Sequence, residues 1–204
     1  MPVSLELLPT LPDLGCVAGV DEAGRGALAG PVAAAAVVLP ADCSIEGLTD
    51  SKKLTPAQRA RVAVQVRASA RAYAVAFVSA QEIDRINILQ ASLCAMAEAV
   101  ARLPDEIEHV LVDGRHCPEL PYPATAVIGG DARVASISAA SVLAKEARDA
   151  WMRHYDLREP CYRFARHKGY PSAEHLHALS EHGPGRQHRR TYAPVRAVLG
   201  EQAA

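Results

Sequence analysis

The sequence predicts an α/β fold: a central mixed sheet flanked by helices, followed by a helical C-terminal region. Short apolar runs typical of strands open the chain and then alternate with longer segments of helical spacing, and only helical segments follow. Half of the 204 residues are hydrophobic and 22% are charged. This is the balance of a globular protein with room for a sizeable core.

The first two predicted strands are apolar runs separated by a glycine-rich turn. Residues 16–22 end in two acids, and residues 31–39 are nearly all Val and Ala. We expect the second run to be a buried strand that pairs with the first. Gly24, Gly26 and Gly30 lie between the runs and indicate a turn with unusual backbone geometry.

A helix, a strand and a second helix follow. The pair Thr55-Pro56 is a good helix start, because Thr caps the first turn and Pro fits within it. This helix should run to about Ala70, and residues 72–78 are predicted to be a strand. Residues 81–101 are predicted to be helical, since their apolar residues recur at helical spacing: Ile83, Ile86, Leu89, Leu93, Met96 and Val100.

The remaining elements complete the predicted order. Residues 109–113 form a short apolar run that ends in an acid, and residues 124–128 are a fifth strand candidate. Residues 134–153 are predicted to be a long helix rich in Ala and Ser. One or two further helices are expected, near residues 172–182 and 194–199. Ligands of α/β sheets tend to bind beyond strand ends, so the acids at those ends are the residues to follow.

Charge is unevenly distributed along the chain. Residues 1–144 contain 11 Lys and Arg against 16 Asp and Glu, whereas residues 145–204 contain 11 against 7 and six of the eight His. We expect one domain over residues 1–204, with a sheet core at about 16–150 and a basic helical region at about 151–204. An acidic part that holds metal beside a basic part that holds phosphate would suit a nuclease, although many proteins are asymmetric without such a reason.

Several classes of protein are disfavoured by the sequence. No apolar run has the length needed to span a bilayer, and no basic residue precedes Arg25 as a signal peptide would require. The number of cysteines is odd, and none of them forms a Cys-x-x-Cys pair. The cysteines therefore indicate neither a zinc site nor a disulfide framework. We expect a cytoplasmic protein with free thiols, at Cys16, Cys43, Cys94, Cys117 and Cys161.

Four acids fall where predicted segments end or begin: Asp21, Glu22, Asp113 and Asp131. Carboxylate oxygens are the ligands that Mg²⁺ and Mn²⁺ prefer. The simpler alternative is that Asp131 caps a helix and that Asp113 belongs to an Asp-Gly turn. Successive strand residues face opposite ways, so Asp21 and Glu22 can share one metal site only if the strand ends or bulges there.

Taken together, the motifs resemble those of ribonuclease HII, the bacterial type 2 ribonuclease H. The resemblance covers roughly residues 16–199. It is carried by AGVDEAGRG at 18–26, LTDSKKL at 48–54, EID at 82–84, NIL at 87–89, VDG at 112–114, GD at 130–131, ISAASVLAK at 137–145, HKGYP at 167–171, EHG at 181–183 and HRR at 188–190.

The resemblance implies a ribonuclease H-like fold and a metal-dependent endonuclease. Expected substrates are RNA in RNA·DNA hybrids and single ribonucleotides embedded in duplex DNA, with incision on the 5′ side that leaves 5′-phosphate and 3′-hydroxyl ends. The family carboxylates fall on Asp21, Glu22, Asp113 and Asp131. We expect these four to hold Mn²⁺ or Mg²⁺ for two-metal hydrolysis, in a monomer that has no membrane partner.

Recognition of the sugar is also implied by the resemblance. The loop Gly24-Arg25-Gly26 is similar to one that recognises the ribose 2′-hydroxyl, the group that separates RNA from DNA. Tyr170 resembles a tyrosine that stacks on the deoxyribose following the ribonucleotide. From the residues alone, Tyr170 would be read as a loop or core residue.

Phosphate contacts are expected at four further positions. Lys52 and Lys53 lie in a polar loop and can meet phosphates as point charges, although Lys53 is equally well explained as a solvated residue. Ser138 and Ser141 are expected near the phosphate backbone, with helix packing as the alternative. The chain departs from the usual family pattern at residues 145–148, which contain an acid, and at Gly129, where relatives often have Lys.

Two functions of other classes stay open at this point. A hybrid-binding module without catalysis could use the basic C-terminal region alone, but the complete carboxylate set argues against it. A phosphate-cradling nucleotide enzyme could use the glycine turn, but the chain lacks the Gly-x-x-x-x-Gly-Lys-Ser/Thr spacing.

Overall fold

The computed structural model describes residues 16–104 and 107–200, so the two ends of the predicted domain lie outside the described residues. The strands form a single five-stranded sheet in the order β3-β2-β1-β4-β5. They are β1 Val17–Ala23, β2 Val32–Val38, β3 Ala72–Val78, β4 His109–Asp113 and β5 Ala124–Val127. All five predicted strands are confirmed within one or two residues at each end.

The sheet is mixed, as predicted. Strands β1, β2 and β3 are antiparallel neighbours, while β4 lies parallel to β1 and β5 parallel to β4. In the parallel pair, Val20 is opposite Val112. The residues that follow them, Asp21 and Asp113, therefore lie side by side at the same edge of the sheet.

The helices begin close to where the sequence places them. They are α1 Pro56–Ser69, α2 Ala80–Ala101, α3 Ala135–Asp156, α4 Phe164–His167, α5 Ala173–His182 and α6 Ala193–Val198. The side chain of Thr55 accepts a hydrogen bond from Gln58 N–H, and Gln58 Oε1 accepts one from Thr55 N–H. This capping box fixes the start of α1. No described helix has both the length and the apolar character to cross a membrane.

The predicted second helix is confirmed, but it is interrupted at Asn87. This residue has φ 67° and ψ 164°, so α2 is kinked there. The Asn87 carboxamide oxygen accepts a hydrogen bond from Gln90 N–H at 3.1 Å. Asn87 therefore acts as an N-cap within the helix, a role that apolar periodicity does not reveal.

Helices cover both faces of the sheet. The apolar side of α2 packs with one set of strand residues, whereas α1 and α3 pack with the opposite set. A Cβ added to Gly19 of β1 would clash with the backbone of Ser136 and Ile137 at the start of α3. The helix α3 therefore lies directly on the β1 backbone, close to the strand end that carries Asp21.

The helical C-terminal region is confirmed, but its start is more broken than predicted. Residues 160–162 form a 3-10 turn and the short helix α4 follows it. The left-handed backbone of Arg163 and Lys168 ends these turns. Tyr162 and Phe164 pack here with Met152 of α3, which joins the region to the core.

Candidate active site

Three carboxylates meet at the sheet edge. Among the described residues, Asp21, Asp113 and Asp131 each offer an oxygen, and these oxygens all lie within 4.8 Å of one another. Asp21 is near the end of β1, Asp113 ends β4, and Asp131 lies in a 3-10 turn, Gly130–Ala132, between β5 and α3. Such a group of oxygen donors suits a hard divalent cation.

The backbone around Asp131 holds Asp113 in place. The Asp113 Oδ1 atom accepts hydrogen bonds from Gly130 N–H at 2.7 Å and from Asp131 N–H at 3.4 Å. Gly129, with φ 64°, turns the chain into this position. The N-cap of α3 is Val134, so Asp131 does not cap that helix.

Glu22 lies beside this group rather than within it. Asp21 and Glu22 pair with Ala35 and Ala34 in an unbroken antiparallel ladder, so β1 neither ends nor bulges between them. The Glu22 side chain starts toward the opposite face, and its carboxylate accepts a hydrogen bond from Arg25 at 3.2 Å. Its backbone N–H donates to Asp21 Oδ1 at 2.7 Å.

The negative charges of these carboxylates are poorly compensated by positive groups. Burial, followed by the charges of Glu22 and Asp113, raises the pKa of Asp21 well above its ordinary value. Burial also raises the pKa of Glu22, against the opposing charge of Arg25. Burial and the charge of Asp131 raise the pKa of Asp113. Each of these three groups would gain from a nearby divalent cation, which relieves the like-charge repulsion.

Of the two predicted lysines, only Lys52 contacts the carboxylates. Its Nζ lies 3.1 Å from Asp131 Oδ2, although 76% of its side chain is exposed. Partial burial opposes protonation, but the Asp131 carboxylate raises the pKa of Lys52. Lys52 lies in a 3-10 turn, Ser51–Lys53. Asp50 Oδ1 accepts a hydrogen bond from Lys52 N–H and so caps this turn. Lys53 is exposed on the same turn.

Both predicted serines are buried on α3 and are bonded within the protein. The Ser138 hydroxyl donates to the backbone oxygen of Asp131. The Ser141 hydroxyl lies 2.8 Å from that of Ser51, and its hydrogen bond to Asp21 lowers the pKa of that acid. These contacts support a positioning role for the serines, and their contact with phosphate stays a prediction.

The glycine loop is shaped by a buried arginine. Gly24 has φ 102°, and a Cβ added there would clash with the Arg148 guanidinium. Gly26, by contrast, has nothing within 4 Å of an added Cβ, so its exposed face is open to a ligand. Arg25 lies between them and is half exposed, with its guanidinium on Glu22.

Tyr170 lies against the same loop. Leu28 N–H donates to the backbone oxygen of Gly169 at 2.8 Å, which joins the two segments. Lys145 Nζ and the Arg148 guanidinium each lie 5.3 Å from the centre of the half-buried Tyr170 ring, within range of cation–π attraction. The structure therefore brings together the two segments expected to recognise sugars.

Two buried arginines that support the loop were not assigned a role from the sequence. Arg148 and Arg189 are fully buried. Their guanidiniums donate to backbone oxygens at both ends of the loop and next to Tyr170, those of Arg25, Ala29, Gly30, Pro31 and Lys168. An arginine within a helical or basic segment is normally exposed at the protein surface. No sequence signal therefore identified Arg148 and Arg189 as buried residues.

Glu146, the acid by which the chain departs from the family pattern, forms ion pairs with neighbouring arginines. Glu146 lies 3.6 Å from Arg59 of α1 and 3.0 Å from Arg153 of its own helix. Lys145 pairs with Asp149 at 2.6 Å, and Arg59 lies 3.1 Å from the same acid. The departure therefore adds to an ion network between α1 and α3.

Comparisons with known proteins identify the family of this chain. The family model described as Ribonuclease HII matches residues 18–195. The chain is 55% identical to a ribonuclease HII of Polaromonas sp. (strain JS666), over 91% of this chain and 93% of that protein. It is 51% identical to a ribonuclease HII of Nitrosospira multiformis, over 91% of this chain and 94% of that protein.

A solved structure shows the same fold. The crystal structure of the ribonuclease H2 from Pyrococcus horikoshii OT3 matches with a TM-score of 0.70 and 28% identity, over 90% of this chain and 97% of that chain. The predicted ribonuclease H-like fold is thereby confirmed. The chain belongs to the ribonuclease HII family and is a type 2 ribonuclease H, a divalent-metal-dependent endonuclease that acts on RNA·DNA hybrids.

Proposed function

We propose that this enzyme cuts RNA in RNA·DNA hybrids and also incises duplex DNA on the 5′ side of a single embedded ribonucleotide. The products are 5′-phosphate and 3′-hydroxyl ends, so the reaction begins the removal of that ribonucleotide. The observation that carries the proposal is the meeting of Asp21, Asp113 and Asp131 oxygens within 4.8 Å, beside a glycine loop joined to Tyr170.

We propose Asp21, Glu22, Asp113 and Asp131 as the residues that hold the metal, either Mg²⁺ or Mn²⁺. The raised pKa values of three of these acids support this, because they reflect negative charges that lack compensation. A pair of such ions, when bound, supplies hydroxide from water and stabilises the leaving 3′ oxygen. Although β1 does not bulge between Asp21 and Glu22, their charges act on each other, and that of Asp113 acts on Glu22. The long Glu22 side chain can therefore join the group when it leaves Arg25.

The protein's own groups place the scissile phosphate. Lys52 is exposed yet bonded to Asp131, so its ammonium can approach a phosphate oxygen at the edge of the carboxylate group. Lys53 would contact phosphate farther from the carboxylates. Ser138 and Ser141 orient Asp131 and Asp21 from α3 and are proposed at the phosphate backbone only as secondary contacts.

The loop Gly24-Arg25-Gly26 and Tyr170 are proposed to choose the sugar. Open space at Gly26 lets a ribose approach the backbone closely. The half-buried Tyr170 ring offers a flat surface for the sugar that follows. Together they would favour a ribose followed by a deoxyribose.

We further propose that the chain acts as one catalytic domain and as a monomer in the cytoplasm. Ala29, which precedes β2, packs with Met152, Tyr162 and Phe164 of the C-terminal region in one core cluster, which supports a single unit. Cys43, Cys94, Cys117 and Cys161 are free thiols, as is usual in the reducing cytoplasm.

The test of the proposed function separates binding from cleavage. Asp113→Asn should retain hybrid binding, because the carboxamide oxygen of this variant can still accept from Gly130 N–H, but it should lose cleavage in either metal. Cleavage by the native chain should stop in EDTA. Near-normal turnover by purified Asp113→Asn would refute the assignment, and binding without metal-dependent cleavage by the native chain would instead indicate a hybrid-binding module.

A further inference from the structure

The C-terminal region contains a cluster of histidines that the proposed chemistry does not use. His175 of α5 and His188 are fully or almost fully buried. Their Nε2 atoms lie 3.0 Å apart, the distance of a hydrogen bond. Neither residue contacts the carboxylates, so their burial requires another explanation.

The hydrogen-bond partners at the two ends fix the direction of this contact. Gly185 N–H can only donate, so His188 Nδ1 accepts its hydrogen bond at 2.9 Å. Neutral His188 then carries its proton on Nε2 and donates it to His175 Nε2. His175 in turn carries its proton on Nδ1, which donates to the backbone oxygen of Tyr170 at 2.9 Å. All three contacts are satisfied only when both rings are neutral.

The surroundings keep both histidines neutral. Burial lowers the pKa of His175 to about 4. Burial, followed by the charge of His175, lowers the pKa of His188 to about 4 as well. The rings of His167 and His175 are stacked at 4.4 Å, so a positive charge on His167 would oppose a positive charge on His175.

These contacts form a relay from Gly185 through His188 and His175 to Tyr170, which connects a neighbour of the glycine loop to Tyr170. Gln187, next to His188, accepts a hydrogen bond from Gly30 N–H at 2.8 Å, and Arg189 N–H donates to Leu28 at 2.8 Å. The segment of His188 therefore supports the end of the glycine loop. The opposite end of the relay holds the backbone of Tyr170.

We propose that His175 and His188 are positioning residues that set the distance between the glycine loop and Tyr170, and thereby the preference for a ribonucleotide followed by a deoxyribonucleotide. The inference rests on the proposed function, since it assumes that Tyr170 contacts the following sugar. Loss of the relay should weaken cutting at that junction more than cutting within a continuous hybrid. In a continuous hybrid the following sugar is a ribose, so the placement of Tyr170 should affect the rate of cutting less.

The experiment compares kcat/KM on two substrates: a duplex with one ribonucleotide and a uniform RNA·DNA hybrid. His175→Leu should lower kcat/KM about tenfold on the first, the factor expected for one lost hydrogen bond, and less than about threefold on the second. His175→Asn retains an N–H donor near the Nδ1 position and should recover most of the loss. His177→Leu, an exposed change on the same helix, is the matched control and should leave both values unchanged.

The outcomes separate the inference from the proposed function. Equal losses on both substrates, or no loss at all, overturn the inference while leaving the proposed function in place. If the native enzyme cuts the hybrid but not the single-ribonucleotide duplex, the proposed function fails, and the inference fails with it.

A second measurement does not depend on activity or on the folding of a variant. In the native protein, ¹⁵N chemical shifts of the imidazole rings at neutral pH should show His188 protonated on Nε2 and His175 protonated on Nδ1. The reverse assignment, or a charged ring at either position, would overturn the relay even if every variant were unfolded.

Discussion

At the scale of single residues, the close approach of the carboxylates lowers the stability of the metal-free protein. Asp113 illustrates this, because burial and the neighbouring Asp131 raise its pKa in the folded state. The stabilising contribution of such a group is complete below its unfolded pKa, about 4, and is lost as pH rises through the folded pKa. Near neutral pH the ionised group therefore destabilises the fold.

Removing that charge should stabilise the metal-free protein. In EDTA near pH 7, Asp113→Asn should raise Tm by roughly 2–4 °C, the shift that about 1 kcal/mol gives in a domain of this size. The difference should shrink as the pH falls toward about 4. Thermal melts followed by circular dichroism measure this, with the exposed Asp42→Asn as the control. A lower Tm for the Asp113 variant at neutral pH would contradict the description of the site.

The two glycines of the loop should respond differently to a methyl group. Gly24→Ala combines a φ of 102° with a clash against Arg148, so it should destabilise the fold by about 1–3 kcal/mol. Gly26→Ala meets nothing within 4 Å and should leave stability unchanged. If a ribose approaches there, Gly26→Ala should still lower kcat/KM about tenfold or more. Urea unfolding and kinetics on a ribonucleotide-containing duplex measure the two effects. Wild-type kinetics for Gly26→Ala would show that Gly26 does not belong to the substrate-binding site.

At the scale of elements, sequence patterns predict strands and helix starts well and their interruptions poorly. The run of Ala and Val in β2 and the Thr55-Pro56 start of α1 are local signals, and both were confirmed. The kink at Asn87 and the short helix α4 arise from single residues in left-handed conformation. Such conformations depend on local caps and tertiary packing, which apolar periodicity does not report.

The helix α3 depends on a glycine in the strand beneath it. Gly19 lets α3 approach the β1 backbone, since a Cβ there would clash with Ser136. Gly19→Ala should therefore cost about 1–3 kcal/mol, as overpacking does. It should also lower cleavage, because Ser138 and Ser141 would shift away from Asp131 and Asp21. Denaturant unfolding together with single-turnover cleavage measures both effects, and an unchanged unfolding midpoint would contradict the close packing described here.

At the scale of the whole molecule, the order of strand ends allowed the position of the site to be predicted. Three acids at segment ends meet because β1 and β4 are parallel neighbours and the turn after β5 returns to the same edge. Glu22 was the part that sequence could not place, since its side chain depends on whether β1 bulges. The buried roles of Arg148, Arg189 and His175 depend on tertiary contacts between distant segments, so no local pattern indicated them.

We propose that this carboxylate group cuts next to a ribonucleotide with the help of a divalent cation. The most direct measurement maps the ends produced from a duplex that carries one ribonucleotide, with Mg²⁺, Mn²⁺ or EDTA present. A single incision on the 5′ side of the ribonucleotide, leaving a 3′-hydroxyl and a 5′-phosphate, only with metal, is the expected result. An incision on the 3′ side, a cyclic phosphate end, or equal cutting in EDTA would contradict it.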